Sequence, residues 1–344
     1  MDVRLAEVKS KFEAEGQGHV LQFYDDLDDA GKDSLLGQLE KIDVKRVIET
    51  YKLSLAEAEH QSKERVEPLD EVVKLHKSSP EDKLMWEKIG LDAVKHGKCA
   101  FLLLAGGQGT RLGTSDPKGC YDIGLPSHSS LFQLMGERLQ RLRAMAGDSA
   151  PAVPWYVMTS PMTDSATRAF FVDKGFFGMN EKDVVFFEQG TLPCLSNAGD
   201  VLMETKGKVS AAPDGNGGIY RALEESGSLA DMDRRGVEYV HASSVDNALV
   251  LPCDPLFVGY CMAIGADCGA KVCPKACATE AVGVICKAGN GGGARVVEYS
   301  EIDEAVSAEV RGKSNSLPHA GLPCAFPAAP PHPFWPECAV PVGR

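Results

Sequence analysis

The clearest pattern of apolar and polar positions begins at Cys99, where CAFLLLA runs without a charge. A short continuous apolar run bounded by turn residues marks a strand buried on both faces, and here it leads directly into glycine. Similar runs recur at Trp155 to Thr159, Val184 to Phe187, Val237 to Val245 and Ala281 to Cys286. Between them, apolar positions at helical spacing occupy Leu131 to Leu142 and Pro255 to Ile264. Strands alternating with helices predict an α/β domain with a mixed, mainly parallel central sheet.

Upstream the period is helical. Val20, Phe23, Tyr24 and Leu27 fall at i, i+3, i+4 and i+7, and Leu35, Leu36 and Leu39 follow at similar spacing, so residues 1–95 predict a helical arm. One helix is fully punctuated: Ser79 suits its cap, Pro80 its first position, Glu81 and Asp82 its first turn, and Gly97 follows its end. Downstream, residues 304–344 read as an irregular tail. Eight of the chain's 20 prolines lie between Ser314 and Arg344, and proline cannot donate to a sheet ladder. The organisation expected is therefore a helical region at 1–95, a catalytic-type α/β domain at 96–303 and the proline-rich tail.

Composition adds limits. The 344 residues are 44% hydrophobic and 25% charged, ordinary for a folded chain and enough for about two domains. A net charge of −13 has the wrong sign for clamping nucleic acid electrostatically, so a polyanionic ligand must be met by local positive charge. The N-terminus lacks an apolar run of signal-peptide type, no stretch reaches a membrane span, and the 11 cysteines are odd in number. Reduced thiols in a cytoplasmic protein without membrane contact are expected, and no sequence feature sets an oligomeric state.

That local positive charge appears in the glycine loop. Leu104-Ala-Gly-Gly-Gln-Gly-Thr-Arg-Leu-Gly113, followed by Pro117-Lys118-Gly119, places Gly106, Gly107 and Gly109 beside two cations, Arg111 and Lys118. Bare backbone N–H groups and two cations form a site for several phosphates. It is neither the dinucleotide fingerprint, since Leu112 stands where the last glycine belongs, nor a P-loop, since Gly119 follows Lys118. Cys268, Cys273 and Cys277 lack metal-site spacing, and no nucleophile elbow or paired zinc histidines occur.

The pattern L-x-G-G-x-G-T-R-L-G-x-x-x-P-K-G resembles the UDP-sugar pyrophosphorylases, and within them the eukaryotic UDP-N-acetylhexosamine pyrophosphorylases. YDIGLPS at 121–127, PWYVMTS at 154–160, FFEQGTLPC at 186–194, APDGNGGIYRAL at 212–223, VDNALV at 245–250, GADCGAKV at 265–272 and VVEYSEI at 296–302 extend the match. The resemblance implies a Rossmann-like nucleotide-diphospho-sugar transferase fold. It implies transfer of uridylyl from UTP to N-acetylglucosamine 1-phosphate, or its galactosamine epimer, with release of pyrophosphate and with Mg²⁺ (or Mn²⁺) as cofactor. By the same resemblance Leu104, Ala105, Gly106, Gly107, Gly109, Thr110, Gln189 and Gly215 bind UTP. Arg111 and Lys118 hold the triphosphate and act in catalysis, Asp246 binds nucleotide and metal, and Asn216 and Glu298 bind the sugar.

The match stops near Ile302, before the sugar-side elements and separate C-terminal domain that the family carries, so the sequence reads as a form truncated at its C-terminus. Two alternatives follow. One is a non-catalytic member that binds nucleotide or partners only; the other is a UDP-glucose-type pyrophosphorylase.

Overall fold

The computed structural model describes residues 3–61, 66–67, 73–273, 277, 280, 282–288, 294–297 and 324–327. Its chain divides into two compact units: 1–63 with 190–218, and 64–189 with 219–344. The division does not fall at residue 95.

In the larger unit, a six-stranded sheet has the spatial order 269–270, 324–327, 239–244, 99–104, 155–159, 184–188. The last four run parallel, paired Phe101 with Trp155, Leu104 with Ser244 and Trp155 with Val184. The apolar run at 99–104 is buried on both faces because period-two geometry divides it. Cys99, Phe101 and Leu103 enter one core with Trp155, Val157 and the helices Pro80–Lys95, Leu131–Ala146, Asp164–Asp173 and Pro255–Ala263. Ala100 and Leu102 enter a second with Tyr156, Met158 and the helices Ile219–Glu225 and Ser228–Arg235. These are the two covered faces of a doubly wound α/β sheet, as the strand-helix alternation predicted.

Helix ends follow the local sequence. Ser79 accepts a hydrogen bond from Asp82 N–H with Pro80 in the first turn, and Gly97 beyond the end takes φ +70°. Ser130 caps the next helix in the same way through Gln133 N–H. The 20–27 period does not make an α-helix: residues 18–21 and 24–26 are separate 3-10 turns, with Val20 buried and Phe23 exposed. An apolar spacing of 3.6 fits consecutive short turns as well as one helix when only some of its positions are packed.

The smaller unit joins the helices Val3–Ala14, Asp29–Lys41 and Val44–Gln61 to two short ribbons, 191–193 with 211–213 and 203–205 with 208–209. Phe12, Leu35, Leu36, Leu39 and Ile48 share its core with Val201 and Val209. The Gln17 amide donates to Gly199 O at 3.2 Å and accepts from Val201 N–H at 2.8 Å, tying segments 182 or more residues apart. Residues 1–63 of the arm are thus one half of a unit, completed by segment 190–218 of the α/β region, whereas helix Pro80–Lys95 belongs to the larger unit.

The tail is not irregular throughout. Cys324–Pro327 forms a strand antiparallel to 239–244, with Pro327 at the end of the ladder opposite Tyr239. Proline is tolerated at a strand terminus, where a missing donor costs least. The strand Val284–Ala288 pairs antiparallel with Ala294–Val297; residues 289–293 and Ala281 lie outside the described residues.

Candidate functional site

Chain order 99–104, 155–159, 184–188 steps along the sheet in one direction, whereas 239–244 joins 99–104 on its other side. That reversal is a topological switch point, and its crevice lies beyond the carboxyl ends of 99–104 and 239–244. The glycine loop leaves the first strand there and Asp246 leaves the second. Val245 N–H donates to Leu104 O at 3.0 Å, holding the two exits together.

Ala105 is buried and donates its N–H to Met158 O at 2.8 Å, so the chain leaves the sheet in fixed register. Gly106 passes the amide of Gln189: a Cβ there would meet that carboxamide at 3.0 Å. Gln189 is 8% exposed, and its N–H donates to Thr159 O at 2.9 Å. Gly109 is buried with its N–H on Asp116 O at 2.9 Å, and a Cβ would collide with Thr114 at 2.6 Å. Thr110 and the backbone of Arg111 form the 3-10 turn Thr110–Leu112, closed by Gly113 at φ +79°; the Arg111 side chain is not among those described. The loop folds back so that Lys118 N–H donates to Gly107 O at 3.2 Å.

Lys118 Nζ lies 3.1 Å from Asp246 Oδ2, with side-chain exposures of 25% and 58%. Residues 128 apart thus put a cation and a carboxylate face to face at the switch point. The neighbouring Gly119 is fixed by packing: a Cβ there would lie 2.1 Å from the Phe132 ring.

The structure accordingly brings Leu104, Ala105, Gly106, Gly107, Gly109, Thr110, Lys118, Gln189 and Asp246 to one end of one sheet. Gly215 and Asn216 belong to the smaller unit, Gly215 at φ +74° and Asn216 opening a 3-10 turn. Glu298 lies outside the described residues. Among the described residues no group of three or more His, Cys, Asp or Glu side chains gathers as a metal cage.

Several supporting residues are given no role by sequence reasoning, although one of them, Ser160, closes the PWYVMTS stretch. Arg138, on helix Leu131–Ala146, donates from Nη1 to Ala248 O at 2.7 Å and Val250 O at 2.8 Å, clamping the loop that follows Asp246. Burial holds its guanidinium pKa below the usual range. His241 is buried in the strand before that loop, where its Nδ1 accepts from Cys253 N–H at 2.7 Å. Desolvation drives its pKa down to about 3, opposed by Asp254 and assisted by Lys271, so the ring is neutral and packed in the core. Ser160 and Thr163 lie buried at the end of 155–159, beneath Gly106.

A glycine loop with a lysine at the switch point of a mainly parallel, doubly wound sheet fits the α/β nucleotide-diphospho-sugar transferase fold that the sequence resemblance implies. The model of the UTP--glucose-1-phosphate uridylyltransferase family matches residues 44–316. The chain is 42% identical to the UDP-N-acetylhexosamine pyrophosphorylase-like protein 1 of Xenopus tropicalis, over 90% of this chain and 62% of that protein. It is 43% identical to the UDP-N-acetylglucosamine diphosphorylase 2 of Arabidopsis thaliana, over 88% and 62% respectively. Among solved structures, the uridine diphosphate N-acetylglucosamine pyrophosphorylase of Trypanosoma brucei superposes with a TM-score of 0.79 at 29% identity, covering 95% of this chain and 67% of that one. The chain belongs to the UTP--glucose-1-phosphate uridylyltransferase family. It spans about 62% of the length of the first curated relatives it matches.

Proposed function

We propose that this chain carries the nucleotide half of a uridylyltransferase that makes a UDP-N-acetylhexosamine and pyrophosphate from UTP and an N-acetylhexosamine 1-phosphate. The observation that carries this reading is the convergence of the Gly106–Gly107 backbone, Lys118 and Asp246 at the switch point. Relatives at 42–43% identity bear N-acetylhexosamine or N-acetylglucosamine names, which supports that sugar class over glucose.

In the reaction an oxygen of the sugar phosphate attacks the α-phosphorus of UTP, and the bond from that phosphorus to the bridging oxygen breaks as pyrophosphate departs. Two polyanions must meet, so positioning and charge neutralisation dominate over proton transfer. Gln189, whose amide offers donor and acceptor, suits the uracil edge, and its carboxamide lies beside the phosphate loop at Gly106. Lys118 neutralises the triphosphate and the leaving pyrophosphate. Arg111, Gly215, Asn216 and Glu298 keep the roles that the resemblance gives them.

A divalent cation fits the donor set. Asp246 offers a half-exposed carboxylate that already engages a cation, the Lys118 ammonium. One carboxylate plus substrate phosphates is the ligand set that Mg²⁺ favours, and Mn²⁺ takes the same oxygens. When bound, the ion supplies neutralisation of triphosphate charge. We place this chemistry in the cytoplasm; no helix among the described residues is long and apolar enough to cross a membrane.

The test is formation of UDP-sugar from UTP, N-acetylglucosamine 1-phosphate and Mg²⁺ by the purified chain beside Asp246→Ala. Product that disappears in the variant is expected. No product, with UTP binding retained, would sink the catalytic reading and leave a nucleotide-binding chain.

A further inference from the structure

We infer that Ser160, oriented by Thr163, is a positioning residue that aims the N–H of Gly107 at a phosphate of the bound nucleotide. The inference rests on the nucleotide reading above and adds a residue to it.

The two hydroxyls form an ordered chain. Ser160 Oγ lies 2.8 Å from Gly106 O, to which it donates its single proton. Thr163 Oγ1 lies 3.0 Å from Ser160 Oγ and accepts from Ser160 N–H at 3.1 Å. With the Ser160 proton committed to Gly106 O, the proton between the hydroxyls comes from Thr163, which gives the sequence Thr163 to Ser160 to Gly106 O. Hydrogen bonds aligned head to tail in this way strengthen one another. Ser160 is 1% and Thr163 0% exposed, so water does not compete for the arrangement.

The consequence for the loop follows from peptide planarity. In a trans peptide the carbonyl and the following N–H point in opposite directions, and the protein has no cis bond among its described residues. Drawing the Gly106 carbonyl down onto Ser160 therefore turns the Gly107 N–H away from the core. Gly107 is exposed, and its N–H meets no acceptor among the described residues. Its own carbonyl is held separately by Lys118 N–H at 3.2 Å, so both peptides around Gly107 are fixed from the protein side. Glycine can otherwise rotate either peptide at little cost, and Ser160 removes that freedom before ligand arrives. A fixed donor beside Lys118 selects an anion, whereas base recognition at Gln189 does not need it.

The probes are UTP and uridine, titrated calorimetrically into the full chain and into Ser160→Ala, Thr163→Val and Lys118→Ala, with the thermal midpoint of each recorded. Ser160→Ala is expected to weaken UTP about tenfold and leave uridine within twofold, because only the phosphate donor loses its support. Thr163→Val, close in volume, is expected to weaken UTP less, by about threefold, with uridine again unchanged. Lys118→Ala checks that phosphate binding is being read and should exceed both. Equal UTP affinity in Ser160→Ala and the parent overturns the inference, as does equal loss of UTP and uridine, which would mark a merely structural hydroxyl. A parent chain that binds neither probe overturns the nucleotide reading itself, and the inference with it.

Discussion

The two loops that meet at Lys118 and Asp246 are held by different physics. The glycine loop is fixed by groups that do not titrate near neutrality: the Ser160 hydroxyl, backbone bonds such as Gly109 N–H to Asp116 O, and steric exclusion of any Cβ at Gly109 and Gly119. The loop after Asp246 is fixed by charge and by a neutral imidazole. Arg138 holds the carbonyls of Ala248 and Val250, and His241 accepts the N–H of Cys253 just beyond. The first loop is held by hydroxyl and backbone hydrogen bonds and by close packing around its glycines, the second by a guanidinium and an imidazole. Each should therefore break under its own kind of perturbation.

The largest effect expected is that of acid on the second loop. Folding lowers the His241 pKa from 6.5 to about 3, so the unfolded chain binds a proton that the folded chain refuses. Stability from this group is full above about pH 6.5 and falls with decreasing pH toward 3, by about 1.4 kcal/mol per pH unit. A His241→Asn variant, which keeps an acceptor for Cys253 N–H, should show a flatter dependence of unfolding free energy on pH over that window. Parallel curves for parent and variant would mean that His241 is not the group responsible.

The next effect falls on the first loop. Gly119→Ala puts a methyl into the Phe132 ring, which is fully buried, and should cost about 3 kcal/mol in denaturant unfolding. A cost under about 1 kcal/mol would show that the Phe132 ring moves aside freely.

Arg138→Met separates the loops more finely. It keeps much of the stem but leaves two carbonyls without their donor, so a stability loss of about 2 kcal/mol is expected. Because Asp246 precedes those carbonyls, the Mg²⁺ concentration needed for half-maximal UTP binding should rise several-fold while uridine binding stays level. An unchanged Mg²⁺ requirement would detach Arg138 from the site. The smallest stability effect is reserved for Gly107→Ala. Its Cβ would meet only the Lys118 side chain, at an ordinary 3.5 Å, and its φ is not in the left-handed region, so unfolding should change by less than about 0.5 kcal/mol. UTP affinity should nevertheless drop, since the added methyl sits on the open side where phosphate would approach.

Much of this contrast was readable in one loop and unreadable in the other. Gly106, Gly107, Gly109, Arg111 and Lys118 fall within 13 residues, and three glycines beside two cations point to a backbone cradle for phosphate. Thr163, Arg138 and His241 are ordinary residues in ordinary elements, Ser160 merely closes the PWYVMTS stretch, and the contacts of Ser160, Arg138 and His241 span 54, 110 and 12 residues. The arm shows the same limit. Its helices at 29–41 and 80–95 follow from local period and caps, but residues 20–27 form two 3-10 turns, and the partner of residues 1–63 is segment 190–218 while helix 80–95 joins the larger unit.

The apolar strand runs, the capped helices and the phosphate-type loop are legible in the sequence because each depends on residues close together in the chain, and the family is legible because many such stretches recur in order from 104 to 302. Period two, helix capping and glycine's missing Cβ act over a few residues. The fold alone sets strand 239–244 on the far side of 99–104, creating the switch point that puts Lys118 against Asp246. It alone decided which hydroxyl, guanidinium and imidazole support the two loops. Those choices rest on long-range packing, where many sequence partners are chemically equivalent and the three-dimensional arrangement selects one.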